Sequence, residues 1–159
     1  MATNAEKAYD QMKAAVGDAE GTGEWFEIDQ PRINAFAEVT IDHQFIHVDP
    51  EKAAQLSPYK VPIAHGFLTL SMLTHLAGSL PRKPEWFEGV VMGINYGFDK
   101  VRFISPVKVN SRVRVASVLS DVQLKDPNTI QMTRTMTIEI EGEDRPACVA
   151  EWVTRTIYG

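Results

Sequence analysis

Cysteine is almost absent: Cys148 is the only one in 159 residues. No disulfide can close within the chain, and the sequence suits a reducing compartment, so a cytoplasmic location is expected. Positive charge is in the minority, 16 Lys and Arg against 21 Asp and Glu, a formal charge of −5. No basic run is long enough to follow a phosphate backbone, which argues against nucleic acid as a partner. Long apolar runs are scarce too. Met1 to Glu20 is interrupted by Glu6, Lys7, Asp10, Lys13 and Asp18 and lacks the apolar core of a leader, so export is not expected. Ile63 to Leu80 has no Asp, Glu, Lys or Arg and approaches the roughly 20 residues that cross a bilayer. Six His, Thr and Ser residues interrupt it, however, and Pro62 and Pro81 bracket it. A helix buried in protein, with no membrane partner, is the expectation.

What the chain does have is ordinary globular usage, 44% hydrophobic with 10 Gly and 9 Pro, and no internal repeat. A chain of this length buries roughly 70% of its unfolded surface without a metal or disulfide staple. One domain over 1–159 is expected, with 1–23 forming an N-terminal helix (Ala2 to Ala15) and a flexible glycine-bearing connection (Val16 to Gly23). Glu24 to Ile28 reads as a short strand. Asp29 with Pro31 starts a helix that ends before Asp42, and Asp49 with Pro50 starts another through Leu56. Asp42 to Val48 is then a tight inter-helix loop. The uncharged segment Ile63 to Leu80 is apolar nearly all round, which marks a central helix wrapped by other elements.

Beyond Pro84 the period becomes two. Val90, Met92, Ile94, Tyr96 and Phe98 share one face, and the parity switches to Val101 and Phe103 through a bulge near Asp99 and Lys100. Arg112 to Leu124, Ile130 to Ile140 and Ala147 to Ile157 are further strands joined by short turns, so they lie antiparallel. The class is α+β, one enveloped helix against an antiparallel sheet. Arg134 falls on the apolar parity of its strand, where it must pair with a buried acid or snorkel.

Two segments could carry chemistry. Asp42 and His47 are five residues apart, a spacing that lets them converge on neither a strand nor a helix but does in a loop. On one water, a carboxylate and an imidazole supply the two proton-transfer groups for adding water to an activated double bond. Equally, Asp42 can serve the loop backbone and His47 can be a satisfied polar residue. His43 is a further local candidate, and His43, His47 and Asp49 as metal ligands match no recognised spacing. The second segment is His65-Gly66 at the helix entrance. An unpaired N–H at Gly66, at the positive end of the helix dipole, could polarise a carbonyl, or Gly66 could merely permit close packing. His65 is open to either a structural or a catalytic part.

Together these segments resemble the MaoC-like, (R)-specific enoyl-CoA hydratase family of hot dog folds, in its single-domain bacterial, NodN-like branch. The family's signature is an Asp, four residues, a His, and some twenty residues later His-Gly; here these are Asp42, His47 and His65-Gly66. The likeness continues through Gly93-Ile94-Asn95-Tyr96-Gly97 and Val101 to Val107. It implies a hot dog fold, a long central helix wrapped by a curved antiparallel β-sheet, dimerised as a homodimer. The implied chemistry is reversible syn hydration of a trans-2-enoyl-CoA to an (R)-3-hydroxyacyl-CoA, with Asp42 and His47 holding the catalytic water and Gly66 as the oxyanion hole. His65 and Asn95 are offered as substrate contacts. The partner is an acyl-CoA thioester, and neither cofactor nor metal is implied. Lys60, Arg82, Lys83, Lys100, Arg102 and Lys108 are available for its phosphates. Ile41, Gln44 and Phe45 depart from the usual Gly and Asn-Pro and bear on the loop geometry. A hot dog acyl-CoA thioesterase, or a non-catalytic acyl-CoA or acyl-carrier-protein binding module, is the alternative.

Overall fold

Period-two segments pair with one another into the sheet that organises the computed structural model, which describes residues 2–159; Met1, counted in the expected domain, lies outside them. Three long strands, β4 (Ser111–Asp126), β5 (Thr129–Ile140) and β6 (Cys148–Tyr158), follow one another antiparallel. A fourth, β3 (Val90–Phe103), adds to β6 as an edge. On the far side of β4 lie β1 (Ala19–Thr22) and β2 (Phe26–Ile28), completing six strands. Val16 to Gly23 was expected as a flexible connection; instead its backbone is tied to β4, through β1 and through the Gly23 N–H on the Val115 carbonyl. A four-residue strand containing Glu and Gly has no alternation to betray it.

On β5, Ile130, Met132, Met136, Ile138 and Ile140 are buried, the face the alternation predicts. Helix α1 (Asn4–Ala14) starts in a capping box of Thr3 and Glu6 and packs Ala5, Ala8 and Met12 on one end of this face. The other end receives the central helix, where Leu68, Leu73 and Leu76 meet Val113, Val115, Met136 and Trp152. Each such aliphatic side chain, fully buried, contributes roughly 1.5–3 kcal/mol.

The central helix differs from expectation in two respects. It begins at Gly66, as α5 (Gly66–Ser71) and α6 (Leu73–Leu76) followed by a 3-10 turn to Ser79. Ile63 is held in an antiparallel bridge to Lys108, and the Ala64 N–H donates to the Val107 carbonyl, so neither can enter the helix. Nor is the helix wrapped all round: Phe67, Ser71, Thr74, His75 and Gly78 form an exposed stripe. Ser71, Thr74 and His75 of the interrupting polar residues collect there, while His65 and Thr69 are buried. The apolar face expected on β3 is also open, with Met92 51% and Tyr96 56% exposed, because β3 is an edge with no helix over it. Its register shifts between Phe98 and Val101, where the parity switch put a bulge.

Candidate functional site

Helix α2 (Gln30–Thr40) is capped by the Asp29 side chain and closes at Ile41 in the left-handed conformation, φ 60°. That reversal turns Asp42 out of the helix line. The expected loop between helices is only half a loop, since residues Phe45–Val48 form one helical turn, α3, before α4 (Pro50–Leu56), whose N-cap is Asp49. His47 sits on α3, buried at 7% exposure. Its Nδ1 donates to the Ile63 carbonyl at 2.7 Å, while the Ile63 N–H donates to the Ile46 carbonyl. The turn is thereby sewn to the segment that leads into α5.

Because Nδ1 carries the proton in that bond, Nε2 of a neutral ring is left as an acceptor. Burial is the main influence lowering the His47 pKa from 6.5, with His65 pushing the same way; the Ile63 hydrogen bond and the Asp42 charge oppose them. The imidazole is therefore held neutral, as a base requires.

His65 stacks on His47, ring centroids 3.8 Å apart and planes 23° from parallel. Its Nε2 donates to the Asp42 backbone carbonyl at 3.0 Å. Thus one histidine supports the ring of the other and pins the backbone of the aspartate. Its Nδ1 is buried with no hydrogen-bond partner among the described residues, an acceptor left for a donor such as water. Ligand atoms of Asp42, His47 and His65 all lie within 4.8 Å of one another. As a metal set this trio is poorly shaped: each imidazole lone pair lies in its own ring plane, and two nearly parallel planes cannot both aim at one ion about 2.1 Å away. A water, which accepts looser angles, suits it better.

The neighbouring cavity, about 290 Å³, is lined by His47, Gly66, Thr69, Tyr59, Phe103 and Val107 among others. Gly66 begins α5 with no side-chain cap on the helix start, leaving first-turn N–H groups free to face this space. A Cβ at Gly66 would sit 3.1 Å from the Phe103 ring, a tight contact, so glycine favours the packing as well. The two readings of Gly66 are compatible.

The remaining candidates separate. His65 is 2% exposed, behind His47 rather than on the cavity wall. Asn95 lies on β3 and accepts from Trp152 Nε1 at 2.8 Å; it lines a different pocket, with Leu70 and Phe98. His43 faces solvent near Glu38, at 3.6 Å, and Asp49 accepts from the Lys52 N–H; neither joins the trio. Sequence reasoning missed the Ile63 carbonyl and the Phe103 wall, and neither carries a local sequence signal. Among the described residues, no helix is long and apolar enough to cross a membrane.

Comparison with known proteins gives a match to the MaoC like domain over residues 11–141. Nodulation protein N of Rhizobium meliloti is 48% identical over 149 residues, covering 93% of this chain and 90% of that protein. The 3-hydroxyacyl-thioester dehydratase Z of Mycobacterium tuberculosis is 45% identical over 146 residues, 92% of this chain and 93% of that one. Among solved structures, the (R)-hydratase of A. caviae involved in PHA biosynthesis superposes with a TM-score of 0.63 at 25% identity, covering 84% of this chain and 94% of that one.

Proposed function

The chain belongs to the MaoC-like domain family, a family of hydratase and dehydratase type, and from that premise we propose that it catalyses reversible syn hydration of a trans-2-enoyl-CoA to an (R)-3-hydroxyacyl-CoA. The observation that carries the reading is the meeting of Asp42 and His47, through His65, beside the open start of α5. In the forward direction the thioester oxygen accepts from the Gly66 N–H, which draws electron density from C3. His47 Nε2 takes a proton from the water held between it and Asp42. The hydroxide oxygen bonds to C3, the C2=C3 π pair takes up a proton at C2, and relay of the same proton from the trio to that face gives syn addition. Atoms balance with water as the only co-reactant. Lys60 and Lys108, exposed next to the lining residues Tyr59 and Ile63, would in this reading meet the coenzyme phosphates.

Two copies of the chain form the active unit in this reading. The open β3 edge, with Val91, Met92 and Tyr96 all more than half exposed, is the kind of edge that soluble proteins cover. Light scattering after gel filtration reads the oligomer directly.

The test of function is incubation with enoyl-CoAs from crotonyl-CoA upward, following enoyl absorbance, thiol release and the chirality of the product together. Asp42→Asn and His47→Gln, shown folded by circular dichroism, are each expected to lose about 10² to 10⁴ in rate. Thiol release in step with the loss of enoyl absorbance, with no hydroxyacyl product, would mean a thioesterase, and tight binding without turnover a binding module. Either result refutes the hydratase assignment.

A further inference from the structure

The inward face of β5 runs Ile130, Met132, Arg134, Met136, Ile138. The first two belong to the core under α1 and the last two to the core under the central helix, so Arg134 stands at the seam. Its partner is Glu20, at 2.8 and 3.2 Å through Nε and Nη2. The register of β1 on β4 slips between Ala19 and Gly21, and the residue at that bulge is Glu20. A bulge re-aims a side chain, and here the carboxylate is also met by the Ser117 hydroxyl at 2.6 Å. Folding does not demand this arrangement: a buried ion pair is commonly matched or bettered by apolar residues of equal volume.

Beside the pair lies a cavity of about 360 Å³, separate from the one holding His47 and within the range of small-molecule sites. Its apolar walls include Leu80, Pro81, Trp86, Phe87 and Trp152, and Arg82 and Lys83 lie on its exposed rim. Three cations thus face one acid, in a chain whose formal charge is −5. The bonds to Glu20 leave Arg134 Nη1 with no hydrogen-bond partner among the described residues, and Thr154 is a further polar residue of the cavity lining.

We propose that this cavity is a second small-molecule site, taking an organic monocarboxylate with an apolar body of medium length. The carboxylate bonds Arg134 Nη1, where a charged acceptor gains most. The body lies against Trp86, Leu80 and Trp152, and Arg82 and Lys83 draw the anion in. The site owes nothing to Asp42, His47 or Gly66, so it stands whether or not the chain is a hydratase.

The experiment is calorimetric titration of the full chain with octanoate, with octanol as the neutral control of the same length. Saturable octanoate binding is expected, with octanol roughly tenfold weaker or more. In the Glu20→Gln/Arg134→Gln pair, which strands no buried charge, the preference for the carboxylate should vanish. Arg82→Ser/Lys83→Ser, on the surface and safe for the fold, should weaken octanoate several-fold and flatten its salt dependence. His47→Gln should leave binding unchanged, which separates this site from the other cavity. Absence of saturable heat, equal affinity for octanol, or octanoate binding indifferent to Arg82→Ser/Lys83→Ser would overturn the proposal, even if the Glu20/Arg134 pair failed to fold.

Discussion

Ile41→Gly should stabilise the protein, although it removes a large side chain. Ile41 closes α2 at φ 60°, ψ 31°, a region that costs an L-residue roughly 1–2 kcal/mol, with β-branched residues at the upper end. Its side chain is 82% exposed, so truncation gives up almost no buried area. The opposing effect is the larger conformational freedom of glycine in the unfolded chain, roughly 0.5–1 kcal/mol. With the strain at the upper end, about 2 kcal/mol, the difference is a gain of about 1–1.5 kcal/mol, or a Tm rise of about 2–6 °C at this chain length. Scanning calorimetry reads the Tm, and urea denaturation should show a higher midpoint at unchanged slope. The Ile41 and Asp42 N–H groups both donate to the Ala37 carbonyl, bonds that glycine keeps, so Asp42 should stay in place. A Tm that stays or falls would falsify the strain argument. A rise in Tm with collapse of hydration would instead show that the left-handed isoleucine aims Asp42.

Acidification has a definite sign. The His47 pKa is lowered in the folded chain from 6.5, mainly by burial, so the unfolded chain binds the proton first. Its contribution is complete above that value, declines as pH falls below it, and stops declining beneath the folded pKa; urea titrations between about pH 7 and 5 should show a slope that His47→Gln lacks. The acid limb of kcat/KM should lie below 6.5 for the same reason. Glu20→Ala strands Arg134, itself 15% exposed, and should cost about 3–5 kcal/mol by chemical denaturation, while Glu20→Met/Arg134→Met recovers most of it. Cys148 is fully buried and its thiol is pushed up to about 11 by burial. Ellman's reagent at mildly alkaline pH should therefore label it only in denaturant; rapid labelling of the native chain would contradict the packing.

The sequence by itself determined the elements whose signal is local. Alternation on β5 marks its inward residues because strand side chains point to opposite faces in turn, and Asp29 and Asp49 mark helix starts because a short carboxylate satisfies a free N–H. The odd spacing of Asp42 and His47 argued for irregular backbone at both; Asp42 lies in it, whereas His47 stands on the single helical turn of α3. Arg134 on an apolar parity had either to pair with an acid or to snorkel, and the sequence did not choose between them.

Tertiary structure decided whatever depends on groups distant along the chain. The His47 tautomer is set by the carbonyl of Ile63, the backbone at Asp42 by the ring of His65, and the partner of Arg134 by a bulge at Glu20. None of these leaves a period or a cap in the sequence, since each rests on a hydrogen bond that exists only once separate segments pack. The exposed stripe of the central helix has the same origin: composition says how apolar a helix is, and only its neighbours say which side they cover.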